Sequence, residues 1–128
     1  MSVAVVDASA LAALVFLEPN AAAARDRLAD RQLVAPRLLV YELMSAAMKK
    51  LRRHPEEAAL IRGGMSKALG DGFAIFWSDV EPMDVLDLAA ETHLTAYDAS
   101  YLWLARRLGA ELVTFDAALD AAAKKYLP

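Results

Sequence analysis

Four acidic residues spread along the chain, Asp7, Glu42, Asp98 and Asp116, are the side chains best suited to chemistry. Asp7 ends a short apolar run, Asp116 directly follows another, and Asp98 begins a predicted helix that leads into the second run. In open parallel sheets, ligands lie outside the carboxyl ends of the strands, so we expect the three aspartates at one sheet edge. Glu42 has apolar neighbours at helical spacing, so its carboxylate should be partly buried.

Each of these acids could also have a purely structural role. The aspartates could be helix N-caps, whose oxygens accept backbone N–H bonds, and Glu42 could reach into solvent. Taken together, however, three of the acids would crowd like charges at one edge with no lysine motif beside them. Because a buried carboxylate is costly unless it is paired, a divalent cation would resolve the repulsion.

The donor types indicate which metal such a site would hold. All four acids are hard oxygen donors and the chain has no cysteine, while His54 and His93 lie away from predicted strand ends and are expected to be structural. This set favours Mg²⁺ or Mn²⁺ over zinc or copper. Carboxylates around such ions suit phosphodiester hydrolysis, because the metal lowers the pKa of water, aligns it with phosphorus and neutralises the phosphoryl oxygens.

Short apolar runs alternate with helical patterns, which indicates an α/β fold around a largely parallel sheet with right-handed crossovers. The predicted strands are residues 3–6, 33–35, 73–77 and 112–115. The predicted helices are residues 10–17, 21–29, 37–53, 56–69, 84–91, 98–108 and 116–125. Gly70-Asp71-Gly72 is a stop signal for the helix that precedes it.

The bulk properties narrow the class of protein. The 128 residues predict one domain, 1–128, and the net charge of −3 argues against coating nucleic acid but not against a nuclease. With no cysteine, no apolar run long enough to span a bilayer and no leader-like start, we expect a soluble, cytoplasmic protein with no membrane contact.

The chain resembles a known family in four segments that carry the acids. These segments are VVDAS at 5–9, VYEL at 40–43, LTAYDASY at 94–101 and LVTFD at 112–116. Together they resemble the PIN-domain ribonucleases, most closely the VapC-type toxins of toxin–antitoxin pairs, over essentially the whole chain. The resemblance implies a three-layer α/β PIN-like fold, with a mostly parallel sheet of four to five strands flanked by helices. The fifth strand, often the last in the family, would here be a stub or missing.

The resemblance also implies roles for particular residues. Asp7, Glu42, Asp98 and Asp116 would be the catalytic, metal-binding acids, the last of them often reaching metal only through water or a second ion. Ser9 or Thr114 would supply a hydroxyl that orients an acid or a metal-bound water, although Ser9 could equally cap a helix.

The implied partners are an RNA substrate and a cognate VapB-like antitoxin whose carboxyl-terminal segment covers the acidic groove. The chain would form a homodimer, or a heterotetramer or larger assembly with antitoxin. The open alternatives are a PIN nuclease of RNA processing or repair and a catalytically idle PIN-like binding module. A phosphohydrolase with an aspartate nucleophile is disfavoured, because its second acid would occupy the position of Ser9.

Two further groups of residues allow two interpretations each. The basic run Lys49, Lys50, Arg52 and Arg53 either grips an RNA backbone or places cations at the partially negative end of a helix, and the second is favoured. Trp77 and Trp103 either stack on bases or pack in the core, and core packing is favoured for both.

Overall fold

A computed structural model describes residues 1–70 and 72–128. The strands are β1 Ser2–Val6, β2 Arg31–Pro36, β3 Ile75–Ser78 and β4 Glu111–Val113. The helices are α1 Ala8–Val15, α2 Ala21–Leu28, α3 Leu38–Arg53, α4 Ala58–Leu69, α5 Pro82–Thr92, α6 Ala96–Leu108 and α7 Ala117–Tyr126, with a 3₁₀ turn at Pro55–Glu57. None of the helices in these ranges is long and apolar enough to cross a membrane.

The sheet of the described residues has four parallel strands in the order β3-β2-β1-β4. The predicted α/β fold with a parallel sheet flanked by helices is therefore confirmed, with four strands. Because every strand runs the same way, the chain leaves all of them at one edge, which we call the carboxyl edge. This edge brings together the starts of α1 and α3 and the segment that leads to α7.

Burial explains why β1 lies at the centre. Its Ala4, Val5 and Val6 are fully buried in succession, a pattern that fits a parallel strand covered on both faces. Helix α6 contacts both β1 and β2, and its residues from Ala99 to Ala105 are all buried. Asp7, which follows β1, and Asp98, on α6, are therefore attached to elements of the buried core.

Helices α3 and α4 pack against each other as a hairpin, and the chain turns between them at His54 and Pro55. Helix α4 also packs tightly on the end of α1, and the contact is made at Gly64. A Cβ atom there would lie 2.6 Å from the carbonyl oxygen of Val15 and 2.9 Å from the ring of Phe16. Only glycine allows this close approach.

The structure moves several predicted boundaries. The last strand ends at Val113 rather than at residue 115, since its partner β1 ends at Val6, opposite Val113. Helix α6 begins at Ala96, two residues before the predicted start at Asp98, because Thr95 caps it. Of the predicted stop signal at 70–72, Gly70 caps the end of α4, whereas Asp71 lies outside the described residues.

Candidate metal centre

Asp7 is the most firmly held of the predicted site residues. It directly follows β1, its side chain is 5% exposed, and both of its carboxylate oxygens accept hydrogen bonds. Oδ1 accepts from the Ser9 hydroxyl at 2.7 Å and from the Ala10 amide at 3.0 Å. Oδ2 accepts from the Thr114 hydroxyl at 2.5 Å. Burial still raises the pKa of Asp7 above its ordinary value, although these three bonds oppose the rise.

The hydroxyls of Ser9 and Thr114 each also accept a hydrogen bond from a backbone amide. Ser9 Oγ also accepts from the Phe115 amide at 2.9 Å, and Thr114 Oγ1 accepts from the Asp116 amide at 3.0 Å. They therefore tie the start of α1 to the segment after β4. The N-cap of α1 is Asp7, so Ser9 lies inside the helix and is not the capping residue that sequence allowed.

Asp116 lies beside this network as the N-cap of α7. Its Oδ2 accepts from the Leu119 amide at 2.9 Å, which is the capping role that the sequence had allowed for each aspartate. The capping explanation therefore describes part of what Asp7 and Asp116 do. It does not exclude a second role, because the negative charge of Asp116 raises the pKa of both Asp7 and Asp98.

Glu42 lies on α3 and is half-buried, as the apolar spacing around it predicted. The hydroxyl of Tyr101, on α6, donates to its Oε1 at 2.6 Å. Burial raises the pKa of Glu42, the bond from Tyr101 lowers it, and the charges of Asp98 and Asp7 raise it again. Burial and the bond to Glu42 raise the pKa of Tyr101 far above its ordinary value, so its hydroxyl stays protonated as a donor.

Asp98 differs from the other two aspartates because it does not cap its helix. Thr95 is the N-cap of α6, and its hydroxyl accepts from the Asp98 amide at 3.1 Å. The expectation that Asp98 begins the helix, and could be explained as a cap, is therefore wrong. Burial raises the pKa of its carboxyl, and the charges of Asp116 and Asp7 raise it further.

Tyr101 is the residue that sequence reasoning missed. It belongs to the same LTAYDASY segment as Asp98 and follows that acid by one helical turn, which places both on one face of α6. That spacing was a signal that Tyr101 could reach the same site. Its side chain is 1% exposed, so its hydroxyl needs a partner, and Glu42 supplies it.

The acids at this edge influence one another electrostatically, and no lysine or arginine is hydrogen-bonded or ion-paired to any of them among the described residues. Within residues 1–70 and 72–128, no three His, Asp or Glu side chains stand close enough together to hold one metal ion as they are placed. The chemistry of the donors nonetheless fits a hard divalent cation, since the acids offer carboxylate oxygens with hydroxyls beside them. Rotation of some of the acidic side chains would be needed to close such a site.

Among the described residues, none of the other candidates is hydrogen-bonded or ion-paired to the four acids. His54 is exposed and contacts Glu56 at 3.2 Å, and His93 ends α5 in a left-handed conformation. Lys50, one of the basic run, is in the last turn of α3, and its Nζ lies 3.7 Å from Glu18 Oε1. Trp103 is buried in α6, as expected.

The fold and the site together define an α/β domain that presents acidic side chains at the carboxyl edge of a parallel sheet. The family model for the PIN domain matches residues 4–125. The chain therefore belongs to the PIN domain family, which confirms the predicted resemblance.

The chain is also similar to two proteins of known structure. PAE2754 from Pyrobaculum aerophilum is 34% identical, with a TM-score of 0.75 over 94% of this chain and 78% of that one. VapC20 from Mycobacterium tuberculosis, a sarcin-ricin loop cleaving toxin, is 18% identical, with a TM-score of 0.63 over 93% of this chain and 94% of that one. At 18% identity, the likeness to VapC20 shows a shared fold and nothing more. Comparison with curated protein sequences gives no significant match.

Proposed function

We propose that this protein is a metal-dependent endoribonuclease that hydrolyses RNA phosphodiester bonds at Asp7, Glu42, Asp98 and Asp116. The observation that carries the proposal is the mutual influence of these acids. The charges of Asp116 and Asp7 raise the pKa of Asp98, and those of Asp98 and Asp7 raise the pKa of Glu42. Like charges collected in this way favour binding of a divalent cation, and PIN domains are generally nucleases.

Each acid would contribute differently to holding Mg²⁺ or Mn²⁺. Asp7 is fixed in orientation by Ser9 and Thr114, so it would be the rigid ligand around which the others gather. Glu42 is steadied by Tyr101 and Asp116 by the Leu119 amide, while the carboxylate of Asp98 accepts no hydrogen bond among the described residues and is freer to turn toward an ion. When bound, the ion would supply positive charge for the phosphoryl oxygens and lower the pKa of a water molecule.

We further propose that the nuclease is the toxin of a type II, VapBC-like toxin–antitoxin pair acting in the cytoplasm. The resemblance of the acid-bearing segments to VapC-type toxins supports this, and so does the shared fold with VapC20. The partners would be a cognate VapB-like antitoxin and a second copy of this chain, as a homodimer or a heterotetramer and larger with antitoxin. If instead the chain serves RNA processing, its expression should not arrest growth, and a neighbouring gene product should not relieve any arrest.

The enzymatic proposal is tested by RNA cleavage with Mg²⁺ or Mn²⁺ and with a chelator. We expect cleavage that the chelator abolishes. Asp7→Asn keeps an N-cap side chain, and Asp98→Asn removes no cap, so both variants should fold. Each should lose more activity than the roughly 10- to 100-fold that loss of an outer partner of a metal ligand costs.

Asp87→Asn is the matched control, because Asp87 is exposed on α5 and lies outside the acidic site. It should cleave RNA at the wild-type rate. Cleavage by Asp7→Asn and Asp98→Asn that equals this control would refute the assignment. Absence of Mg²⁺ or Mn²⁺ binding in calorimetry would instead identify an idle PIN-like binding module.

A further inference from the structure

A cavity of about 350 Å³ opens at the base of the α3–α4 hairpin. Its lining comes from the first turn of α3, the end of α4 and the strand β3: Arg37, Val40, Tyr41, Leu69 and Trp77. The volume is at the lower end of the range for small-ligand pockets, about 300–1,000 Å³. It therefore suits one flat ring with its immediate substituents rather than a larger ligand.

The cavity lies near the same sheet edge as the acids. Helix α3 starts directly after β2, whose carboxyl end is next to that of β1 in the sheet. Tyr41 directly precedes Glu42 on α3, so one residue lines the cavity and the next contributes to the site. A polymer strand that passes the acids could thus place a neighbouring unit in the cavity.

The aromatic side chains of the cavity are unusually available. Tyr41 is 70% exposed, and Trp77 packs against the hydrophobic core, as the sequence favoured, but stays partly exposed. An exposed aromatic ring next to a groove is a surface on which a nucleobase can stack, and such stacking contributes about 1–3 kcal/mol per base. Tyr97, 66% exposed, likewise directly precedes a site acid, Asp98.

The cavity also carries a cation. Arg37 lines it, and its Nε lies 3.4 Å from Asp79 Oδ1, with the two side chains 69% and 90% exposed. Such an exposed ion pair contributes little and is screened by salt, so a phosphate can displace the carboxylate at small cost. A guanidinium group suits a phosphate because it can donate two parallel hydrogen bonds.

We propose that this cavity binds an unpaired nucleobase of the RNA substrate against Tyr41 and Trp77, with Arg37 on an adjacent phosphate. This inference rests on the proposed ribonuclease function and adds to it a base-binding cavity that a base in a single-stranded segment, loop or end can enter. A base within an A-form helix is already paired and stacked, so it cannot enter the cavity. Tyr41 and Arg37 are thereby binding residues that position the strand across the acids.

Steady-state cleavage of a single-stranded RNA oligonucleotide tests the inference. Tyr41→Ala should raise KM by roughly 5- to 100-fold with kcat nearly unchanged, because it removes stacking outside the reacting bond. Tyr41→Phe keeps the ring and should stay within about 3-fold of wild type. Met48→Ala, also exposed and two turns further along α3, is the control and should leave KM unchanged. Arg37→Gln should weaken RNA binding and reduce its salt dependence by about 0.7 in log–log slope.

The outcomes separate this inference from the proposed function. If the wild type cleaves RNA and Tyr41→Ala keeps the wild-type KM, the inference fails while the ribonuclease function stands, and the cavity would face a protein instead. Equal preference for a fully paired duplex would overturn it as well. If the wild type cleaves no RNA, the function fails; fluorescence anisotropy of the labelled oligonucleotide then decides whether Tyr41 still binds it.

Discussion

Replacement of Thr114 by valine tests how the central acid is held in place. Valine has nearly the same shape, so Thr114→Val removes only the hydroxyl, which is 2% exposed. Its bond to Asp7 Oδ2 and its acceptance from the Asp116 amide disappear, together with the 3.3 Å contact with the Ser9 hydroxyl. A bond to a charged group contributes about 1.5–3 kcal/mol, and an unsatisfied amide costs about 1 kcal/mol, so we expect a total loss of roughly 2–4 kcal/mol.

The control is the same substitution at Thr92, whose hydroxyl makes two bonds. It donates to the Leu88 carbonyl at 2.7 Å and accepts from the Leu94 amide at 3.4 Å, and neither partner is charged. Thr92→Val should therefore cost only about 1–2 kcal/mol. Urea unfolding of both variants without metal measures the difference, and thermal unfolding should show a Tm about 10 °C lower for Thr114→Val.

The pH dependence gives a second and sharper test of the Thr114 bond. That bond favours the ionised form of Asp7, so it lowers the pKa of a group that burial raises above 3.8. Its contribution is present while Asp7 is charged and disappears as pH falls through the folded-state pKa of Asp7. The stability gap between wild type and Thr114→Val should thus narrow in acid. A gap that is constant with pH, or no larger than that of Thr92→Val, would refute the reasoning.

Three other substitutions give distinct outcomes. Tyr101→Phe should destabilise the fold by about 1–2 kcal/mol, because it removes the bond to Glu42. It should also raise the pKa of Glu42 and so move the acid limb of the pH–activity profile to higher pH. An acid limb that does not move contradicts this prediction. Asp98→Asn should stabilise the metal-free protein at pH 7 by about 0.5–2 kcal/mol, because the wild type loses stability as pH rises through the raised pKa of Asp98. In urea unfolding, this gain should vanish near pH 3, where Asp98 is protonated. A gain that persists near pH 3 argues against the electrostatic cause. Gly64→Ala should cost about 1–3 kcal/mol through overlap with α1, whereas Gly63→Ala, which meets nothing within 4 Å, should stabilise α4 by up to about 1 kcal/mol; equal unfolding midpoints would contradict the packing argument.

The sequence predicted the alternation of strands and helices and the edge at which the aspartates lie. It did so because β-branched runs and the polar residues after them are local signals, as at Val6 and Asp7. The identity of the cap of α6 was also local, yet Asp98 was preferred to Thr95 as its start. Both residue types are good N-caps, and only the backbone conformation decides between them.

The contacts between distant residues could not be read from the sequence. The bond from Tyr101 to Glu42 joins positions 59 residues apart, and it depends on how α3 and α6 are rotated about their axes. The bond from Thr114 to Asp7 spans 107 residues and depends on the register of β1 with β4. Rotation and register are set by packing of the whole core rather than by any short pattern.

That long span between Asp7 and Thr114 also relates the assembly of the candidate site to the order of synthesis. A nascent polypeptide that does not yet include β4 and Thr114 has neither the strand that pairs with β1 nor the hydroxyl that restrains the first acid. The proposed ribonuclease activity would consequently arise only after the ribosome has made β4 and the segment that follows it. Nascent chains stalled on the ribosome before β4 is made should therefore be inert towards RNA.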